Sequence, residues 1–190
     1  MKNVDEGEPM RKRIYKREKF IESAYRMVMR YGFENLSAKR LATYMQISTQ
    51  PIYNQFNNFQ EVKDEVVYRL FHESITSTKK CREERHPLVC FPVKIIKYYL
   101  KNPQKYYLCW QDTSGNPKLM YQLYETFFLK YLLVGRYFYE KDEDAKKVIF
   151  SKLMISILGI IEKSQMDENL TEEEIEAVWL DMVKKYIENE

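Results

Sequence analysis

The sequence predicts an all-α protein, and three observations carry that prediction. Apolar residues recur at three- and four-residue spacing along the chain rather than alternating. Only five glycines and six prolines occur in 190 residues, so few positions would break a helix. Two serines, Ser37 and Ser48, each stand just ahead of a short amphipathic segment, where a hydroxyl accepts a hydrogen bond from the free amides of a first turn. A chain of this length buries a substantial core, as one large domain or two small ones. Sixteen tyrosines and ten phenylalanines make that core bulky.

Taken in order, residues 1–9 form a polar lead. A first helix is expected over residues 10–31, with Phe20, Ile21, Ala24, Tyr25 and Val28 on one face and Gly32 ending it in the left-handed conformation. Two short helices joined by a tight turn follow over residues 37–56, the first opened by Ser37 and the second by Ser48. Leu41, Ala42 and Met45 give the first an apolar stripe, and Ile52, Tyr53 and Phe56 give the second another. The next helix starts near Phe59, turns Val62, Val66, Leu70 and Phe71 inward, and extends to about Ser77. Polar residues 78–87 mark a boundary, which divides the chain into residues 10–77 and 78–190. Beyond it, helices are expected over residues 91–100, stopped by Asn102 and Pro103, and over 103–112. Residues 113–117 are a loop signal, and an aromatic-rich helix covers 118–139. The last two helices run over 142–164 and 171–187, the second opened by a Thr171–Glu174 capping box.

Composition narrows the functional classes. The net charge is +3, but residues 10–56 hold ten Lys/Arg against three acids, and residues 165–190 hold two against nine. Only the first part is therefore suited to a polyanion. The first residues are polar and acidic, unlike a secretory leader. The longest apolar run, residues 153–161, is far short of the ~20 residues that span a bilayer. A cytoplasmic protein without membrane association is expected. Cys81, Cys90 and Cys109 are odd in number and lack close-paired spacing, so no disulfide framework is expected.

The second short helix, residues 49–56, keeps Thr49, Gln50 and Asn54 on an outward polar face. That arrangement suits a helix reading base edges in a major groove, and Gln50 and Asn54 are the side chains most able to recognise adenine bidentately. Pro51 costs little there, because first-turn amides have no helical partner. The segment from Ile21 to Val66 resembles the TetR family of bacterial transcriptional regulators. The likeness is carried by Ile21-Glu22-Ser23-Ala24, Tyr31-Gly32-Phe33, Ser37, Leu41-Ala42, Ile47-Ser48, Ile52-Tyr53 and Phe56. The resemblance implies that Ser37 meets a phosphate, that Ser48, Thr49, Gln50 and Pro51 open a recognition helix, and that Tyr53 and Gln55 contact the DNA backbone. Lys39, Arg40 and the basic run Arg11, Lys12, Arg13, Lys16 and Arg17 would add phosphate contacts. Two positions depart from the family pattern: Gln46 stands where glycine is frequent, and Phe59 where lysine is frequent, with Lys63 one turn later as the substitute.

The resemblance also implies an effector pocket and a dimer interface in the second half. Trp110, Tyr121, Tyr124 and Phe128 are the pocket candidates, and apolar walls with few polar anchors suit a hydrophobic small molecule. Residues 153–161 are apolar around most of the helix circumference, and the last helix carries a matching stripe. Leu153, Ile157, Ile160, Ile161, Ile175, Val178, Trp179 and Met182 are the interface candidates of a homodimer. His72, Cys81, His86 and Cys90 fit no common zinc spacing, no catalytic motif stands out, and neither a metal nor a cofactor is expected. The expected function is a homodimeric transcriptional regulator, a repressor released from double-stranded operator DNA by a small-molecule effector. The competing class is a helical small-molecule binder or enzyme without specific DNA recognition.

Overall fold

The computed structural model describes residues 15–76, 86–133, 136–166 and 171–188, and no strand occurs among them. The fold is all-α, as periodicity predicts. Helix α1, Arg17–Tyr31, buries Phe20, Ala24, Met27 and Val28. It ends at Gly32, whose φ of 78° is positive but whose ψ of 166° is extended, so the expected left-handed helical stop is replaced by a sharper exit. A single 3-10 turn, Phe33–Asn35, then drops the Phe33 ring into the core.

Helix α2, Ala38–Met45, is capped as predicted: Ser37 Oγ accepts the Arg40 amide at 3.3 Å. It stops at Gln46, which adopts a left-handed conformation (φ 56°, ψ 46°) that usually favours glycine. Helix α3 is shorter than the sequence predicts, Gln50–Tyr53, and its cap position is Thr49 rather than Ser48, with no side-chain bond. Past Tyr53 the chain tightens, because the Gln55 and Phe56 amides both reach the Ile52 carbonyl. Ile52 and Phe56 are buried, whereas Tyr53 is 49% exposed and leaves the apolar stripe assigned to it.

Helix α4, Phe59–Thr76, starts where Asn58 Oδ1 accepts the Glu61 amide at 3.0 Å. It meets α1 on one side and the helices of the second half on the other. Buried residues from Phe20 to Tyr186 accordingly join in one hydrophobic cluster. The expected division at residues 77 and 78 lies outside the described residues.

Helix α5, Pro87–Lys101, begins four residues before the predicted start. The His86 ring accepts the Leu88 amide at 3.2 Å, and Pro87 sits at the first helical position, where a missing amide costs nothing. Helix α6, Pro103–Tyr106, runs on into a π-helical turn, Tyr107–Gln111, in place of a uniform helix. Helix α7, Pro117–Tyr131, is capped by Asn116 and stops eight residues early, because the Leu132 and Leu133 amides both close on the Phe128 carbonyl. Leu132 and Leu133 turn inward there, and a short helix, α8, follows at Arg136–Tyr139. Helices α9, Glu143–Met166, and α10, Glu172–Ile187, complete the bundle, and both halves of the Thr171–Glu174 capping box are formed.

Cys90 is disulfide-bonded and Cys109 is free and buried, which corrects the expectation of no bridge. A bridge depends on Cα atoms lying within about 7 Å, a distance sequence spacing does not reveal. Among the described residues no helix is long and apolar enough to cross a membrane.

Candidate nucleic-acid interface

The α2–turn–α3 unit rests on a fully apolar base. Leu41, Ala42, Ile52 and Phe56 are at most 4% exposed. The Phe56 ring meets Phe20 edge-on at 6.1 Å and carries the Arg17 guanidinium 4.3 Å from its centroid. Arg17 also donates to the Gln55 carbonyl at 2.8 Å, to Glu61 at 2.7 Å and to Glu65 at 2.6 Å. This cation ties Gln55, just past α3, to α4. Arg11, Lys12 and Arg13 lie outside the described residues, and Lys16 is exposed.

Above that base stands a row of polar side chains. Ser37, Lys39, Arg40, Ser48, Gln50, Tyr53, Asn54 and Gln55 are exposed, and Thr49 and Pro51 are partly buried. Gln50 Nε2 donates to Asn54 Oδ1 at 3.1 Å, which couples the two amides one turn apart. Arg40 bonds the Asn35 side chain, so its guanidinium is oriented toward the 3-10 turn. Lys63 is different. Its ammonium is partly buried and donates to the Ser114 carbonyl at 2.8 Å, so it faces the second half of the molecule rather than the polar row. The resemblance offers Lys63 as the lysine one turn past Phe59, and a place one turn on does not say which neighbour a face meets.

The 112–116 loop joins the two halves. Asp112, 6% exposed, accepts the Phe33 amide through Oδ2 at 3.0 Å and the Ser114 amide through Oδ1 at 2.9 Å. Asn116 donates to Asp64 at 2.9 Å. Gly115 packs so closely on the Phe33 ring that an added Cβ would lie 2.9 Å from Cδ2. None of this was legible in the sequence, because the loop signal identifies a turn and not its partner.

The four pocket candidates split into two groups. Tyr124 is fully buried, with Trp110 against it at 5.4 Å and Phe71 edge-on at 5.1 Å. Tyr121 and Phe128 instead meet the Phe150 ring of α9, and Tyr121 shares a hydrogen bond with Ser151 at 3.0 Å. The sequence did not single out Ser74, Tyr99 or Cys109, which complete the polar side of the first group. Ser74 Oγ donates to the Phe71 carbonyl at 2.7 Å. Its one proton being spent, it accepts from Tyr124 at 2.6 Å, and Tyr124 in turn accepts from Tyr99 at 3.1 Å. Burial raises both tyrosines and pushes the Cys109 thiol up to about 12, so all three are neutral at physiological pH.

Of the interface candidates, Leu153, Ile157, Ile161, Ile175 and Trp179 are no more than 3% exposed within a single subunit, filling the core against α5 and α7. They offer no side chain to a partner. Ile160 and Met182 are partly buried and Val178 is exposed. The outward apolar stripe of α9 runs instead through Val148, Ile155 and Met166, which are 54%, 72% and 83% exposed. Of the residues weighed for a metal, His86 is taken by its helix cap and Cys90 by its disulfide.

No family model matches the chain, and no curated protein matches it in sequence. Among solved structures it is similar to a protein from Shewanella sp. PV-4 described as a candidate tetR family transcription regulator, at 13% identity and a TM-score of 0.62, covering 87% of this chain and 94% of that one. It is also similar to the multidrug binding protein EbrR complexed with imidazole, at 12% identity and a TM-score of 0.56, covering 87% and 88%. A third likeness is to RolR without ligand, at 18% identity and a TM-score of 0.55, covering 88% and 90%. The chain therefore has the fold of a tetR-type regulator over nearly its whole length.

Proposed function

We propose that this chain is a homodimeric DNA-binding transcriptional regulator whose hold on its operator is released by a small molecule bound in the second half. The observation that carries the reading is the row of exposed hydrogen-bonding side chains, Gln50, Tyr53 and Asn54, on a four-residue helix seated over a fully buried apolar base. Exposed amides on a rigid short helix are the means of reading base edges in a major groove, and Ser37, Lys39 and Tyr53 are suited to phosphates. Likeness in fold to a protein described as a tetR family regulator supports the same reading.

Two copies related by a two-fold axis would present two such helices to half-sites one helical turn apart. The exposed stripe of Val148, Ile155 and Met166 on α9 supports self-association through that face. An effector changes DNA affinity only if it binds the two states unequally, so the halves must be mechanically joined. The Asp112–Phe33 and Lys63–Ser114 bonds supply that joint, tying the α1–α2 turn and α4, respectively, to the loop that follows the π-helical turn.

The test is fluorescence anisotropy on duplex DNA from upstream of the chain's own gene, with a scrambled duplex of equal composition as competitor at two salt concentrations. Binding that survives the competitor at physiological salt is expected, and Gln50→Ala should lower it about tenfold or more at unchanged salt slope, in line with about 1–3 kcal/mol for a bidentate base contact. Equal loss to both duplexes would leave only a basic surface and favour a helical small-molecule binder.

A further inference from the structure

We infer that the small molecule is a neutral aromatic compound bearing a hydrogen-bond acceptor, and that this acceptor is taken by the indole Nε1–H of Trp110. The inference deepens the regulator reading and rests on it for the effector role, while the binding site itself requires no DNA. Among the described residues, Trp110 Nε1 is the buried side-chain polar atom without a hydrogen-bond partner. Indole is a donor only, so nothing but an acceptor satisfies it. Buried donors are nearly always paired in folded proteins, and an exception needs a reason.

The local backbone supplies a second, independent sign. Trp110 lies in the π-helical turn Tyr107–Gln111, and such turns concentrate at functional sites, where they re-aim a side chain at the cost of regular packing. Here the turn brings the Trp110 ring to 5.4 Å from Tyr124 at a tilt of 37°. Trp110 as a whole is half-buried while its Nε1 is sealed, so the ring spans from the surface to the core.

The chemistry of the wall selects the ligand. Phe71 meets the Tyr124 ring edge-on at 5.1 Å, and Phe127 meets Phe71 edge-on at 6.2 Å. A flat aromatic molecule makes the same kind of contact with them. The polar members bond one another in a directed chain, Tyr99 to Tyr124 to Ser74 to the Phe71 carbonyl, and none of these bonds involves an ionised group. The two charges that act on Cys109, Lys105 and Glu73, are paired with each other at 2.7 Å. A charged ligand would have to break that pair or lose its hydration uncompensated. The acceptor excludes plain hydrocarbons as the best ligands, because they would leave the indole unpaired.

The experiment uses the full chain without DNA and four probes of similar size: acetophenone, ethylbenzene, benzoate and benzyltrimethylammonium. Each is titrated by calorimetry and by 15N-indole NMR, in which the two tryptophans give two resonances. Acetophenone should bind tightest, at least tenfold better than ethylbenzene, and move one indole proton downfield. Trp110→Phe should abolish that preference by weakening acetophenone alone. The proposal is overturned if no probe binds, if an ion binds best, or if acetophenone binds without moving an indole resonance. The NMR arm decides the matter if Trp110→Phe fails to fold. Failure here with operator binding intact would discard the ligand class and leave the regulator reading standing.

Discussion

Asp112 Oδ2 accepts the backbone amide of Phe33 at 3.0 Å across 79 residues of chain, and the carboxylate is almost fully buried. Its other oxygen takes the Ser114 amide at 2.9 Å, so one side chain both shapes its own loop and grips the turn that leads into α2. The carboxylate is two residues past Trp110, so anything that moves the π-helical turn moves this grip.

Replacing Asp112 with Ala would orphan two amides, of which the Phe33 amide is buried. Stability is expected to fall by about 1–3 kcal/mol for each buried donor left unpaired. Gly115→Ala should cost a similar amount by overpacking, since its Cβ would strike the fully buried Phe33 ring. Urea denaturation reads both. Anisotropy should find that Asp112→Ala still binds ligand but no longer passes the effect to DNA; an unchanged response would remove the loop from the coupling.

Pro92 lies inside α5 and has no amide to give the Leu88 carbonyl four residues back. Trp179 of α10 fills that role, donating through Nε1 at 2.7 Å. Trp179→Phe should therefore cost more than its lost volume, by about 1–3 kcal/mol for the stranded carbonyl. In a Pro92→Ala background the helix supplies its own donor, and the penalty should shrink. A double-mutant cycle that returns strictly additive values would show that the two are unrelated.

Glu73 is the centre of a network that links α1, α4 and α6. Burial alone would raise its carboxyl, but hydrogen bonds from Lys105 at 2.7 Å, Tyr25 at 2.9 Å and Arg69 at 3.3 Å outweigh that and hold it below the usual carboxylate range. A group depressed in the folded state stabilises the fold above its unfolded value of about 4.3 and loses that contribution as the pH falls through the folded one. Lys105 is held above its ordinary value, against the pull of desolvation, by Glu73 and Tyr98. Its contribution is full at neutral pH and fades only in strong alkali. Thermal melts between pH 3 and 6 should thus fall steeply on the acid side, and Glu73→Gln should flatten the slope. Parallel curves for the two proteins would refute the assignment.

Ile155 and Ile157 should behave oppositely. Ile155 is 72% exposed on α9, so Ile155→Glu is expected to weaken self-association severalfold in sedimentation equilibrium while the subunit stays folded. Ile157 is 1% exposed in the core, and Ile157→Glu buries an unpaired charge and should unfold the subunit. A folded, fully associated Ile155→Glu protein would place the interface elsewhere.

The amino-acid sequence by itself determined what depends on bonds between residues three or four apart. The apolar stripe of α1, the Ser37 cap, the Thr171–Glu174 box and the loop before Pro117 are all local, and each stands where periodicity and capping put it. The outward row of Gln50 and Asn54 was legible for the same reason, since an apolar stripe fixes the opposite face of a helix. Tertiary structure alone decided which of two faces met a neighbour. Lys63 and Arg17 read as free cations, yet one is spent on the Ser114 carbonyl and the other on Glu61 and Glu65. Residues 153–161 are apolar around most of the helix, and only the positions of α5 and α7 decide that Ile157 turns in and Ile155 out. The Ser74–Tyr124–Tyr99 chain joins three helices separated by up to 50 residues. Contacts of that kind are fixed by how helices dock, and no local pattern in the chain encodes the docking.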